Sequence, residues 1–250
     1  MTDLGPSSAT TVLTREQYLD RWRVLHGQYD QNASSLVRPW LSAVYRLSAP
    51  LARKHLPPDI VTATGVATAA GAAAAAWTGG AWLFLAAALV LVASVLDGID
   101  GAVAVISRRD DAWGFVVDTV ADRCSDLLIL AIVGFAGAPW PLVAVMMAFS
   151  MIHETLRARA GAAGLREVLV ITVWERPSRV VTSILIAVTA AAVPSAAVTT
   201  STLGAVVGAV LATCGLLHLA IAVRRALRGR VVELPSEFVD RKRQSPPDEQ

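Results

Sequence analysis

Three long stretches of the chain, residues 65–96, 127–152 and 180–223, contain no Asp, Glu, Lys or Arg. An uncharged apolar run of about 20 residues is long enough to cross a hydrocarbon core of roughly 30 Å as a helix. Only 17% of the 250 residues are charged, against about 25% in an average soluble domain. The sequence therefore predicts an all-α, polytopic membrane protein.

Glycine and proline divide the apolar stretches into shorter segments, because both residues interrupt helices. The predicted result is six transmembrane helices, at residues 60–78, 82–106, 112–135, 140–159, 177–193 and 202–223. Before them, residues 38–54 interleave apolar and basic side chains, which predicts an amphipathic helix at the membrane interface. A solvated helix preceding the membrane domain is the alternative.

We divide the chain into three regions on this basis. Residues 1–37 form a polar N-terminal extension, residues 38–228 form the membrane domain with its interfacial helix at 38–54, and residues 229–250 form a disordered tail. Lys and Arg are absent from the turns near Gly79, Pro139 and Pro194 and abundant at the opposite helix ends. The positive-inside rule then places both termini of this multi-pass cell-membrane protein in the cytoplasm.

Four aspartates lie at the facing ends of the second and third predicted spans. Asp97 and Asp100 are three residues apart, and Asp118 and Asp122 are four apart, so each pair shares one helix face. A short turn joins the two helices, and the resulting antiparallel hairpin should bring all four carboxylates to a similar depth. Charges within spanning helices are costly and are usually functional.

A cluster of carboxylate oxygens suits divalent Mg²⁺ or Mn²⁺, with substrate phosphates completing the coordination. Two such ions could stabilise both the attacking and the leaving oxygen of a phosphoryl displacement. Gly101, Ala104 and Gly114 would leave space for a bulky group beside the ions. The alternative is structural: the aspartates cap helices or pair with nearby arginines, namely Arg108, Arg109 and Arg123.

At these residues the chain resembles the CDP-alcohol phosphatidyltransferase family. The family pattern is D-x-x-D-G-x-x-A-R, eight further residues, then G-x-x-x-D-x-x-x-D. The corresponding residues are Asp97, Asp100, Gly101, Ala104, Val105, Gly114, Asp118 and Asp122, with the eight-residue gap intact. The resemblance covers roughly residues 56–225 and includes the six-helix layout.

The resemblance implies transfer of a phosphatidyl group from CDP-diacylglycerol to a small alcohol, with release of CMP. It implies that Asp97, Asp100 and Asp118 bind metal, and that Asp122 completes the second metal site and acts as the general base. Asp59 and Thr62 lie in a segment similar to the family's nucleotide-side segment, and with Gly101, Ala104 and Gly114 they are the expected CDP-lipid-binding residues. The family likeness also implies a homodimer, and we expect no nucleic-acid partner.

Within the family, the chain is similar to the actinobacterial phosphatidylinositol phosphate synthases. The likeness lies in basic residues at the end of the fourth helix and a following E-R-P-x-R element. It implies a phosphorylated acceptor such as inositol phosphate, bound by Arg157, Arg159, Arg176, Arg179 and Arg224. Ordinary topology charge and headgroup contact are the alternative for these arginines. Glu154 would repel an acceptor phosphate unless His153 or Arg157 neutralises it.

One position departs from the family pattern, since Val105 stands where the family has arginine. Loss of a cation near a pyrophosphate should weaken substrate binding or transition-state stabilisation, and Arg108 and Arg109 are candidates to replace it. Two alternative functions follow. One is a catalytically silent relative that binds CDP-lipid, and the other is an ion-coupled transporter, since transporters also use intramembrane aspartates.

Overall fold

The computed structural model describes residues 12–25, 37–109, 111–165 and 170–229, and these residues form an all-helical protein, as predicted. The helices are α1 (Arg15–Leu25), α2 (Val37–Arg53), α3 (Pro58–Thr78), α4 (Trp82–Ile106), α5 (Ala112–Phe135), α6 (Trp140–Ala162), α7 (Arg176–Ala192) and α8 (Ala197–Leu227). A short 3-10 helix, Pro194–Ala196, precedes α8. The predicted disordered tail lies outside the described residues except for its first position, Gly229.

Local signals account for the helix boundaries. Pro58 and Pro177 lie in the first turns of α3 and α7, where proline is tolerated because the missing N–H has no helical partner. The Asp111 side chain caps α5 by accepting the Gly114 N–H at 2.7 Å. Helices α4 and α5 have the predicted limits, whereas α8 begins five residues earlier and ends four residues later than predicted.

Helices α4 and α5 both pack against α3 on one side and against α7 on the other, with little direct contact between them. Helix α6 packs mainly against α8. Small residues on α8 allow α7 and α6 to approach it closely. A Cβ added at Gly204 would lie 2.6 Å from Ile186 of α7, and one added at Gly208 would lie 2.6 Å from Met146 of α6. The spacing of these glycines therefore serves packing within the chain.

Three helices of the described region are long and apolar enough to cross a membrane: Pro58–Thr78, Trp82–Ile106 and the continuous helical segment Pro194–Leu227. The other three predicted spans also form helices, but they do not meet the same measure. Helix α5 contains four charged side chains, α6 has charged residues in its last turns, and α7 has only 17 residues. Large apolar side chains such as Phe84, Leu91 and Leu203 face outwards, as expected for surfaces in contact with lipid.

The N-terminal helix α1 folds onto the cytoplasm-facing end predicted for α4, a docking that sequence patterning did not anticipate. Leu13 and Tyr18 are buried against α2 and α4. The Leu13 N–H donates to the Ile106 carbonyl at 3.1 Å, and the Tyr45 hydroxyl donates to the Leu13 carbonyl at 3.0 Å. Val105 belongs to the same apolar cluster, so the residue that replaces the family arginine packs beside α1.

Candidate active site

The carboxylate cluster predicted from the sequence forms between α4 and α5. Asp97, Asp118 and Asp122 each offer one oxygen, and these oxygens lie within 4.8 Å of one another. Asp100 is buried, unlike these three half-buried aspartates, and its Oδ1 accepts the Gly101 N–H at 2.6 Å. The structure thus gathers three of the four predicted ligands into one group and leaves the fourth one helical turn away from Asp97.

The donor set fits a divalent cation. All the gathered atoms are carboxylate oxygens, the hard ligands that Mg²⁺ and Mn²⁺ prefer, and the side chains are half-buried. Half-burial leaves a face through which substrate phosphates could complete the coordination. Asp100 has a second oxygen that its backbone contact does not use.

Arg176, in the first turn of α7, reaches into this cluster. Its Nη1 lies 2.6 Å from Asp97 Oδ1 and also pairs with Asp122 Oδ1. Its Nε lies 3.6 Å from Asp126 Oδ1. The start of α7 therefore places a cation between the aspartates of α4 and those of α5.

A second ionic layer lies behind the first. Arg179 is fully buried and pairs with Asp126 of α5 and Glu154 of α6. Arg123 lies 3.5 Å from Asp126 and 3.4 Å from Glu154. Two arginines thus neutralise Glu154, whereas Arg157, one of the two residues expected to do so, pairs with Glu175 at 2.6 Å.

The loop before α7 is anchored by a tryptophan. Trp174 is fully buried, its Nε1 donates to the Ser150 hydroxyl at 2.8 Å, and its Cβ lies where a Cβ on Gly215 would be only 2.8 Å away. The Thr172 N–H and hydroxyl both donate to Glu175, at 2.8 and 3.0 Å. This anchoring fixes the position at which Arg176 begins α7.

The five predicted acceptor-binding arginines fall into distinct environments. Arg176 contacts the aspartates, Arg179 is buried between two carboxylates, and Arg157 is paired with Glu175. Arg159 and Arg224 are exposed on the last turns of α6 and α8. Their roles in binding an acceptor stay predictions.

The residues predicted to bind CDP-lipid come from three helices: Asp59 and Thr62 from α3, Gly101 and Ala104 from α4, and Gly114 from α5. Thr62 is buried, with its hydroxyl donating to the Pro58 carbonyl at 3.2 Å and lying beside Asp100. Asp59 is exposed. A Cβ added at Gly101 would meet no described atom within 4 Å, whereas one at Gly114 would lie 3.2 Å from Asp111. Ala104 is half-buried.

Sequence reasoning missed the anchoring residues of this site. Ser150, Thr172 and Trp174 looked like ordinary helix and loop residues, yet they fix the approach of α7. The available signal was a tryptophan in a short loop directly before Glu175 and Arg176, a position where an exposed ring would be unfavourable.

Comparisons with known proteins agree with this architecture. The chain is 37% identical over 89 residues to the archaetidylinositol phosphate synthase of Aeropyrum pernix, covering 34% of this chain and 46% of that relative. It is 32% identical over 151 residues to the archaetidylinositol phosphate synthase of Methanothermobacter thermautotrophicus, covering 59% of this chain and 74% of that relative. No family model matches the chain.

A solved structure is also similar. The phosphatidylinositol phosphate synthase of Mycobacterium tuberculosis, in complex with manganese and citrate, aligns with a TM-score of 0.59 and 25% identity. The alignment covers 72% of this chain and 88% of that one. Manganese in that structure agrees with the divalent-cation chemistry that the carboxylates of this chain favour.

The fold, the aspartate cluster and these relatives show that the chain belongs to the CDP-alcohol phosphatidyltransferase family. Within that family, the relatives described above are two archaetidylinositol phosphate synthases and a phosphatidylinositol phosphate synthase. The family assignment made from the sequence pattern is confirmed.

Proposed function

We propose that this protein transfers the phosphatidyl group of CDP-diacylglycerol to a phosphorylated polyol, inositol phosphate, and releases CMP. The observation that supports this most strongly is the group of Asp97, Asp118 and Asp122 oxygens within 4.8 Å of one another. The relatives' names supply the reaction class and the acceptor class.

In this proposal Asp97, Asp100, Asp118 and Asp122 hold two divalent ions, Mg²⁺ or Mn²⁺. Bound ions would neutralise charge that develops on the phosphate oxygens during displacement. Asp122 accepts the proton of the acceptor hydroxyl, which then attacks the phosphorus that bears diacylglycerol, and the bond to CMP breaks. Asp59 and Thr62 bind on the nucleotide side, and the small residues Gly101, Ala104 and Gly114 make room for the pyrophosphate and cytidine.

The proposed acceptor pocket lies where the ends of α6 and α8 meet the start of α7. Arg159 and Arg224 are exposed there and would contact the acceptor phosphate directly. Arginine provides two parallel N–H groups that match phosphate oxygens. Arg157 and Arg179 are held by carboxylates, so we assign them to shaping the pocket.

We also propose that all six helices from α3 to α8 span the membrane, with both termini in the cytoplasm. The ion-paired residues Arg123 and Asp126 of α5, Glu154 of α6 and Arg179 of α7 then face one another inside the bundle, which lowers the cost of their burial. A homodimer is proposed from the family likeness alone.

The main alternative is a catalytically silent relative that binds CDP-lipid, and Val105 favours it. This side chain is buried in an apolar cluster with Leu13 and Leu41, and Arg108 and Arg109 are exposed on the turn that follows. The reaction would then lack one cation that the family pattern supplies.

The test is CMP release from CDP-diacylglycerol in mixed micelles with Mn²⁺, using inositol phosphate, glycerol phosphate, inositol, glycerol and serine as separate acceptors. The proposal expects release with inositol phosphate and much less with the acceptors that lack a phosphate. Nucleotide binding without release from any acceptor would support the silent alternative. Release with a non-phosphorylated acceptor alone would contradict the acceptor assignment.

A further inference from the structure

Arg176 uses one nitrogen to contact two carboxylates of the candidate metal site. Its Nη1 lies 2.6 Å from Asp97 Oδ1 and pairs with Asp122 Oδ1 as well. These two aspartates come from different helices, α4 and α5. The guanidinium therefore lies at the position where a cation shared by both helices would bind.

A divalent ion held by Asp97 and Asp122 needs the same oxygens. At contact distance a guanidinium and a divalent ion repel each other strongly, because both carry positive charge. Both cations cannot share these oxygens, so Arg176 must move away when an ion binds. The side chain is 20% exposed, which leaves it an open side to move towards.

The neighbouring arginines do not have this freedom. Arg179 is 1% exposed and bound by carboxylates of α5 and α6. Arg157 pairs with Glu175, whose position is fixed by the Thr172 N–H. Arg123 also lies 3.6 Å from Asp122, but the same side chain is held by Asp126 and Glu154. Among the ion pairs of the described residues, Arg176 is the arginine that joins Asp97 of α4 to Asp122 of α5.

We propose that Arg176 changes partners when a divalent ion binds. Its guanidinium pairs with Asp97 and Asp122 until the ion takes their oxygens, and it then positions the acceptor by pairing with the acceptor phosphate. The inference rests on the proposed function, because it needs a phosphorylated acceptor beside the metal site. It makes metal and acceptor binding mutually dependent: each raises the affinity for the other by the same factor.

The test measures Mn²⁺ affinity of the purified full chain by the electron paramagnetic resonance signal of free Mn²⁺, without CDP-diacylglycerol, so that no turnover occurs. Wild type, Arg176→Gln, Arg176→Lys and a control, Arg53→Gln, are compared with and without inositol phosphate. Arg53 is exposed at the end of α2, so Arg53→Gln removes the same charge at a position outside the site. Glycerol phosphate serves as a second phosphorylated probe.

Without acceptor, Arg176→Gln should bind Mn²⁺ about tenfold more tightly than wild type, because a competing cation is gone. Adding inositol phosphate should tighten Mn²⁺ binding about fivefold or more in wild type and Arg53→Gln, and less than twofold in Arg176→Gln. Arg176→Lys should have values between those of wild type and Arg176→Gln, since a single ammonium group replaces the guanidinium. If Arg176→Gln does not fold, the Mn²⁺ affinity of Arg176→Lys serves as the test.

If the Arg176 variants bound Mn²⁺ as tightly as wild type or more weakly, the proposal that Arg176 competes with the ion for Asp97 and Asp122 would be wrong. An undiminished response of Arg176→Gln to the phosphorylated probes, or no response of wild type to either probe, would overturn the coupling. Failure of the proposed function is a separate result: absent CMP release alongside tighter Mn²⁺ binding by Arg176→Gln would leave the competition standing.

Discussion

Gly101 lies directly after Asp100 on α4, and a Cβ added there would meet no described atom within 4 Å. An alanine at this position should preserve the fold, because alanine favours a helix over glycine by about 0.5–1 kcal/mol. The same methyl group would enter the space beside the carboxylates. We expect Gly101→Ala to keep its melting temperature and to raise the KM for CDP-diacylglycerol several-fold in the CMP-release assay.

Gly161, near the end of α6, is the matched control, because an added Cβ also meets nothing there within 4 Å. Gly161→Ala should leave both the KM and the melting temperature unchanged or slightly raised. If Gly101→Ala had wild-type kinetics, the space beside α4 would not be the binding site of the lipid substrate.

The aspartate spacing was readable from the sequence because helical periodicity converts a separation of three or four residues into a shared face. The contacts of Arg176 were not, because they join residues 54 positions apart through the packing of α7 against α5. The same reason explains Glu154. Its neutralisation by Arg179 and Arg123 depends on how α6 and α7 meet α5, which no local pattern encodes.

Helix α1 shows the same limit for a whole element. Its sequence is mostly polar, and only Tyr18 and Leu19 are buried on it. These side chains gain stability only against the surface made by α2 and α4, so the isolated segment resembles a polar extension. In contrast, the approximate limits predicted for α4 and α5 agree with the structure, because charge, glycine and a capping aspartate mark their ends.

Tyr18 gives the docking of α1 a pH dependence, because burial raises the pKa of its hydroxyl to about 12. The ordinary tyrosine pKa is about 10, so an undocked α1 loses this proton first. The stability from docking is complete below about pH 10 and falls as the pH rises towards 12. We expect the thermal stability of wild type to fall more steeply across this range than that of Tyr18→Phe, with little difference at pH 8. If the thermal stability of the two proteins fell equally steeply above pH 10, ionisation of Tyr18 would not be the cause.

The molecule as a whole separates its two kinds of surface. Large apolar side chains face outwards along α4 and α8, while the paired carboxylates and arginines of α4 to α7 meet inside one end of the bundle. Pairing of opposite charges offsets the free-energy cost of burying them in a membrane. The aspartate cluster remains half-buried at that end of the bundle. The site and the membrane-facing surface are thus two results of the same helix packing.

The most direct test of this account compares Asp118→Asn with Asp111→Asn in Mn²⁺-dependent CMP release with inositol phosphate. Asp118 belongs to the oxygen cluster, whereas Asp111 caps the same helix outside it, and asparagine caps helices about as well as aspartate. We predict that Asp118→Asn loses about 100-fold or more of the activity, the order expected for removing a group that stabilises charge in the transition state. Asp111→Asn should retain wild-type activity. Equal activity of the two variants would contradict a metal-assisted transfer at these carboxylates.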